Sequence, residues 1–195
     1  MIDSSKITSR CPKPVLLVVA GLCLVLGACA IPPTYAPLGD RATQARIRVK
    51  ADYRYPHPAI VSVKAIDDVE PKEQFLAIFI KGWMGMSGFP KEAERIGMPE
   101  TTGLDATLPV LERYITGNRE LRLKLEATLD GGYLCGETSA FTPVSGHDYE
   151  LVIPLSTTSL GGNGECGFVL YEIDSSGTAS IRQRLSMRPL PVAKK

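Results

Sequence analysis

Two histidines and five cysteines are the side chains in this 195-residue chain best suited to nucleophilic, metal or redox chemistry. Their spacing decides how much of that chemistry is open. His147 is followed by Asp148, the residue types that hydrolases use to orient a base. Successive residues of a strand or turn point apart, however, so Asp148 cannot steer its neighbour's ring, and His147 reads as a satisfied turn residue. His57, between Pro56 and Pro58, is stiffly displayed, but one histidine makes no site. Gly85-Met86-Ser87-Gly88-Phe89 departs from the G-x-S-x-G nucleophile elbow at its last position. The letters of a dinucleotide loop, G-x-G-x-x-G, occur from Gly162 to Gly167. Phe168-Val169-Leu170-Tyr171 then continue as strand formers, whereas a pyrophosphate needs a helix N-terminus, so a hairpin role is expected. Asp67, Asp68 and Glu70 could supply an acid pair or weak calcium ligands, but oxygen cages need more ligands at set spacing, and a solvated turn is the simpler reading. With no C-x-x-C and so few histidines, no metal site, cofactor or catalytic constellation is expected.

The chemistry that the sequence does support lies near its start. Lys6, Arg10 and Lys13 precede an uncharged apolar run from Pro14 to Ala28, shorter than the roughly 20 residues a spanning helix needs. This is the layout of an export signal. The run closes on Leu26-Gly27-Ala28-Cys29, which resembles the lipobox of bacterial lipoproteins. That resemblance covers residues 1–29 only. It implies cleavage before Cys29, which becomes a diacylglyceryl cysteine with a further acyl chain such as palmitate on its amine. Two or three acyl chains anchor durably where one is marginal. Ala30, where aspartate would retain such proteins in the inner membrane, implies an outer-membrane, periplasm-facing location.

If the signal is removed, Cys11 and Cys23 leave with it and Cys29 is consumed by lipid. Cys135 and Cys166 then remain as an even pair in an oxidising compartment, and a disulfide between them is expected. The signal also takes three of the 22 basic and one of the 21 acidic residues, leaving a near-neutral chain. Such a balance offers no basic footprint for nucleic acid.

The elements that must carry these residues read as β throughout. Residues 29–44 contain Pro32, Pro33 and Pro37 with no apolar period, the composition of a flexible tether. From Ala45, Ile47, Val49 and Ala51 alternate with Arg46, Arg48 and Lys50, a half-buried strand with its cations outward. Ala59 to Ile66 alternates likewise. Phe75 to Ile80 is apolar on both faces and suits a central strand covered on each side, or one under the Gly-rich segment that follows. Leu108 to Ile115 reads as a strand or short helix. Leu121, Leu123, Leu125 and Ala127 against Arg122, Lys124 and Glu126 is the cleanest alternation in the chain. Tyr133 to Phe141, Tyr149 to Leu155, Cys166 to Ile173 and Thr178 to Leu185 complete the set, separated by turn residues. Seven to eight short strands imply a mainly β fold, an antiparallel sandwich or barrel-like domain over 45–187, with 188–195 a frayed tail. The order of alternating strand, Cys135, turn, Cys166 and strand also resembles small β-rich lipoproteins of unassigned role, a likeness of spacing rather than of motif.

The segment Gly82 to Pro90 carries the only tryptophan and combines Trp83, Met84, Met86 and Phe89. These close the core or form a patch for a protein partner in the envelope, since aromatics and methionine are favoured at interface centres. The expected role is a membrane-anchored, non-catalytic binding or structural accessory module. The alternatives are an envelope hydrolase acting on glycan or peptide, and an immunity or inhibitor lipoprotein.

Overall fold

The fold is that of a computed structural model. It describes residues 33–53, 59–69, 71–82, 95–101, 109–129, 134–156, 165–174 and 181–191. All of these belong to the second of the chain's two units, Met1–Pro32 and Pro33–Lys195. Cys29, His57, Glu70, Ser87 and the patch Trp83, Met84, Met86 and Phe89 lie outside the described residues.

Alternation builds two sheets that bury one face each against the other. The strands are β1 (Gln44–Tyr53), β2 (Ala59–Asp67), β3 (Gln74–Lys81), β4 (Val110–Thr116), β5 (Leu121–Leu129), β6 (Leu134–Phe141), β7 (Asp148–Ser156), β8 (Glu165–Cys166), β9 (Val169–Asp174), β10 (Ile181–Leu185) and β11 (Arg188–Pro189). One sheet runs β10-β9-β7-β1-β4, with β8 also paired to β7, and the other runs β11-β6-β5-β2-β3. We call them the β1 sheet and the β5 sheet. Ile47 and Val49 of β1 and Leu151 and Ile153 of β7 meet Val61 and Val63 of β2 and Leu123 and Leu125 of β5 in one core, each 0–1% exposed. The β-sandwich expected from the sequence is what forms.

Several expectations are corrected in detail. β1 and β7 pair in parallel rather than antiparallel, Arg46 opposite Asp148 and Val49 opposite Leu151. Five strands separate them in sequence, so no hairpin constrains their direction. The Phe75 to Ile80 run lies in an edge strand rather than a central one, because only β2 pairs with it along its length, while the Gly-rich segment that the sequence offered as its alternative cover lies mostly outside the described residues. Its register on β2 shifts at Val63/Lys64, so Val63 faces Ala77 but Lys64 faces Phe75. This bulge buries Leu76 beside Ala77 and leaves Phe75 under the Lys64 ammonium, 5.7 Å from its ring centroid.

The tether is shorter than composition implied. Thr34 bridges Phe75, whose amide donates to the Pro33 carbonyl (2.9 Å) and whose carbonyl accepts from Tyr35 N–H (2.8 Å). Tyr35 is 5% exposed, its ring in the core and its hydroxyl within 3.0 Å of both Asp67 Oδ2 and Thr116 Oγ1. A proline-rich segment can dock as readily as it can dangle when one aromatic reaches the core, and composition does not weigh that one residue. The expected tail is corrected as well. Arg188 and Pro189 pair with Ala140 and Ser139 of β6, and Leu190 N–H donates to the Thr138 carbonyl.

Cys135 of β6 and Cys166 of β8 pair as a disulfide with Cα atoms 6.3 Å apart, within the usual bridging range. Because β6 and β8 belong to different sheets, this bond staples the two layers.

Candidate functional site: a charged face closed by a strap

The outward face of β1 carries Arg46, Arg48 and Lys50, the positions alternate to its core residues. Register sets anions beside them: Arg48 lies opposite Glu112 of β4 on one side and Glu150 of β7 on the other, and Arg46 lies opposite Asp148. Arg48 Nε and Nη2 donate to Glu112 Oε1 at 2.9 and 2.7 Å, and Arg48 Nη1 stands 3.6 Å from Glu150 Oε2. Lys50 Nζ reaches Glu150 Oε2 at 2.8 Å, and Arg182 of β10 reaches Glu150 Oε1 at 2.8 Å while stacking over the Tyr171 ring. Arg46 grips Asp148 through both oxygens, at 2.6 and 2.7 Å.

The centre of this face does not meet water. Arg48 and Glu112 are each 1% exposed and Glu150 is 0%. The segment 95–101 crosses above them as a strap, held almost wholly by its backbone. Ile96 and Met98 N–H donate to Glu112 Oε2 at 2.7 and 3.3 Å. The Met98 and Pro99 carbonyls accept from Arg48 at 3.0 and 2.9 Å, and Gly97 O accepts from Arg46 at 3.3 Å. Thr101 Oγ1 donates to Glu150 Oε2 at 2.8 Å. The Met98 side chain is itself buried.

Electrostatics follow the geometry. Burial pushes the Glu112 carboxyl up, but the Arg48 guanidinium and the Ile96 and Met98 amides outweigh it and hold the group below the ordinary carboxylate range. Glu150 behaves alike: burial raises it, and the Lys50, Thr101 and Arg182 contacts outweigh burial and hold it below the ordinary range. Folding therefore does bring two carboxylates together, yet both are held as anions and have spent their lone pairs on cations and the strap. A glycosidase-like acid needs a raised pKa and access to substrate. Neither is present in this pair.

The residues singled out from sequence are placed elsewhere. His147 and Asp148 point apart: Asp148 turns to Arg46, while His147 Nδ1 contacts the Glu172 carboxylate at an exposed rim. A shallow depression of about 530 Å³ is lined by His147, Asp148, Glu172, Asp174 and Gln183, without a serine, threonine or cysteine among its lining residues. Asp67 turns inward to Tyr35 whereas Asp68 is exposed, so the two do not converge. Burial raises the Asp67 carboxyl, the Tyr35 hydroxyl only partly offsetting it, and burial raises Tyr35 itself to about 12. Among the described residues no cluster of three or more His, Cys, Asp or Glu could hold a metal ion. Glu165-Cys166 pair with Ser156 and Leu155 of β7, so the glycine-rich stretch leads into a strand. Sequence reasoning missed Arg48, Lys50, Glu112, Glu150 and Arg182 as a set. The available signal was complementary charge, R-x-R-x-K on one strand against lone or alternating acids on two others, but only the register joins them.

Comparison with protein-family models, with curated proteins and with solved structures finds no match to this chain.

Proposed function

We propose that this chain is a lipid-anchored protein of the bacterial cell envelope, acylated at Cys29, whose β-sandwich serves as a non-catalytic binding or structural module. The observation that carries the reading is the pairing of Cys135 with Cys166 between the two sheets. Such bonds persist in oxidising compartments, the side of the membrane to which the Leu26-Gly27-Ala28-Cys29 signature directs a chain. A non-catalytic role draws support from the buried carboxylates, which are neutralised by Arg48, Lys50 and Arg182 rather than offered to a substrate. Trp83, Met84, Met86 and Phe89 are the proposed contact with a protein partner in the outer membrane or periplasm.

Cell fractionation tests the address: the wild-type chain sediments with outer membranes, and Cys29→Ser releases it to the soluble fraction. Equal membrane association of the two overturns the anchor. Trp83→Ala and Met86→Ala test the patch, which predicts lost crosslinking to the partner with an unchanged melting temperature. Unfolding with unchanged crosslinking assigns those side chains to the core instead.

A further inference from the structure

The shortened tether has a geometric consequence that builds on the anchored reading. Only four residue steps separate Cys29 from Pro33, whose carbonyl is fixed on Phe75. At no more than about 3.6 Å per residue the chain reaches about 14 Å, less than the roughly 15 Å radius of gyration expected for a domain of this length. The anchor therefore sets which end of the sandwich can reach the lipid. Tyr35 marks that end, joining Asp67 at the close of β2 to Thr116 at the close of β4.

The same end is knit rigidly. Asn118, in a left-handed turn conformation (φ 56°), donates through its side chain to Ser145 Oγ (2.8 Å), and Gly117 N–H donates to Thr43 O (3.2 Å). A β-carbon on Gly117 would come within 2.5 Å of that Thr43 oxygen, so the turn is packed as closely as glycine allows. The large apolar side chains left exposed among the described residues are Val69, Val144 and Ile181, at 51, 46 and 68%. Scattered singly, such residues need no explanation. Here all three share the anchor end. Val69 follows β2, and Val144 lies between β6 and β7. Ile181 starts β10 opposite Asp174, whose neighbour Ile173 pairs with Asp148 at the start of β7. Exposed charges nearby are mixed, Arg41, Lys72 and Arg119 against Asp40, Asp68 and Asp174.

We propose that this end of the sandwich rests on the lipid surface holding Cys29, with Val69, Val144 and Ile181 as its apolar contacts. The mixed charges make the contact indifferent to anionic lipid. Held by the anchor, the domain needs little further affinity to adopt one orientation, because the tethered surface samples the interface at high effective concentration.

The test uses the full chain, processed and acylated in a bacterial host, in phosphatidylcholine vesicles doped with a gadolinium-chelating lipid. Nitroxides are placed at Ala42→Cys, on the anchor end, or at Lys81→Cys, opposite Ala59 at the far end of β2, a strand that spans about 26 Å from Ala59 to Asp67 at ~3.3 Å per residue. Relaxation several-fold stronger at position 42 than at 81, lost when Val69, Val144 and Ile181 are together replaced by Asp, is the expected result. Equal relaxation at both positions on an acylated chain, or an asymmetry that the triple substitution leaves unchanged, overturns the docking and leaves the anchor standing. An unacylated mature terminus in the mass spectrum of the same sample overturns both.

Discussion

β1 and β5 carry nearly the same signature and end in opposite surroundings. Each alternates small or branched apolar residues with charged ones, and each buries its apolar side at 0–1% exposure. On β5 the charged side meets solvent: Lys124 and Glu126 share an open network with Lys64 and Glu73 at 2.7–3.0 Å, the side chains 14–45% exposed. On β1 the charged side lies beneath the strap, and Arg48 is 1% exposed. Alternation therefore reports which side chains share a face. It does not report what that face meets.

The contrast is sharpest in stability. Removing one member of a buried ion pair strands the other without water, typically at a cost of about 3–5 kcal/mol, whereas exposed pairs are worth about 0.2–1 kcal/mol. Arg48→Met should lower the chemical-denaturation stability by the larger amount, leaving the Glu112 carboxylate without its counter-charge and the Met98 and Pro99 carbonyls without their donor. Lys124→Met, its counterpart on β5, should shift the same midpoint only marginally. Similar losses for the two variants would break the distinction.

The disulfide comes next. Cys135 and Cys166 are 31 residues apart, and closing such a loop contributes about 3.7 kcal/mol on a chain-entropy model. Cys135→Ser with Cys166→Ser should therefore lower the reversible unfolding free energy by about 2–5 kcal/mol, with the two sheets still assembled by circular dichroism.

Tyr35→Phe should cost about 1–3 kcal/mol, because Asp67, Thr116 and the Thr116 amide all lose a buried partner while the ring stays in the core. A change confined to local exchange near residues 34–38, with no loss of global stability, would show that the docked segment is an independent appendage.

The smallest effect is a difference in pH response. Glu112 and Glu150 have folded pKa values below the ordinary ~4.3, so their contribution is complete above that pH and is lost as pH falls through the depressed folded values. Asp67 is raised, so its contribution runs oppositely: it is fullest below the ordinary ~3.9 and declines as pH rises through the folded value. Urea midpoints between pH 3 and 7 should rise with pH for the wild-type chain. Glu112→Gln should flatten that rise and Asp67→Asn should steepen it.

Most of the strands were legible, since a two-residue period needs no partner to be read. Ile47, Val49, Leu123 and Leu125 stand where alternation put them. What sequence withheld depended on pairing between distant segments. Arg48 reads as a solvated cation until β4, β7 and the strap surround it. Phe75 to Ile80 reads as a central strand because an apolar run carries no mark of the bulge that turns Phe75 outward. Pro33 to Gln44 reads as tether because one anchoring aromatic scarcely alters a segment's composition.

Amide hydrogen exchange at Ile96 and Met98 tests most directly whether the buried carboxylates clamp the strap rather than serve a substrate. Both N–H groups donate to Glu112, so the account predicts protection approaching that of the β1 amides, lost in Glu112→Gln. Exchange at the rate of an open loop in the wild-type chain would contradict it and would return Glu112 and Glu150 to consideration as an accessible acid pair.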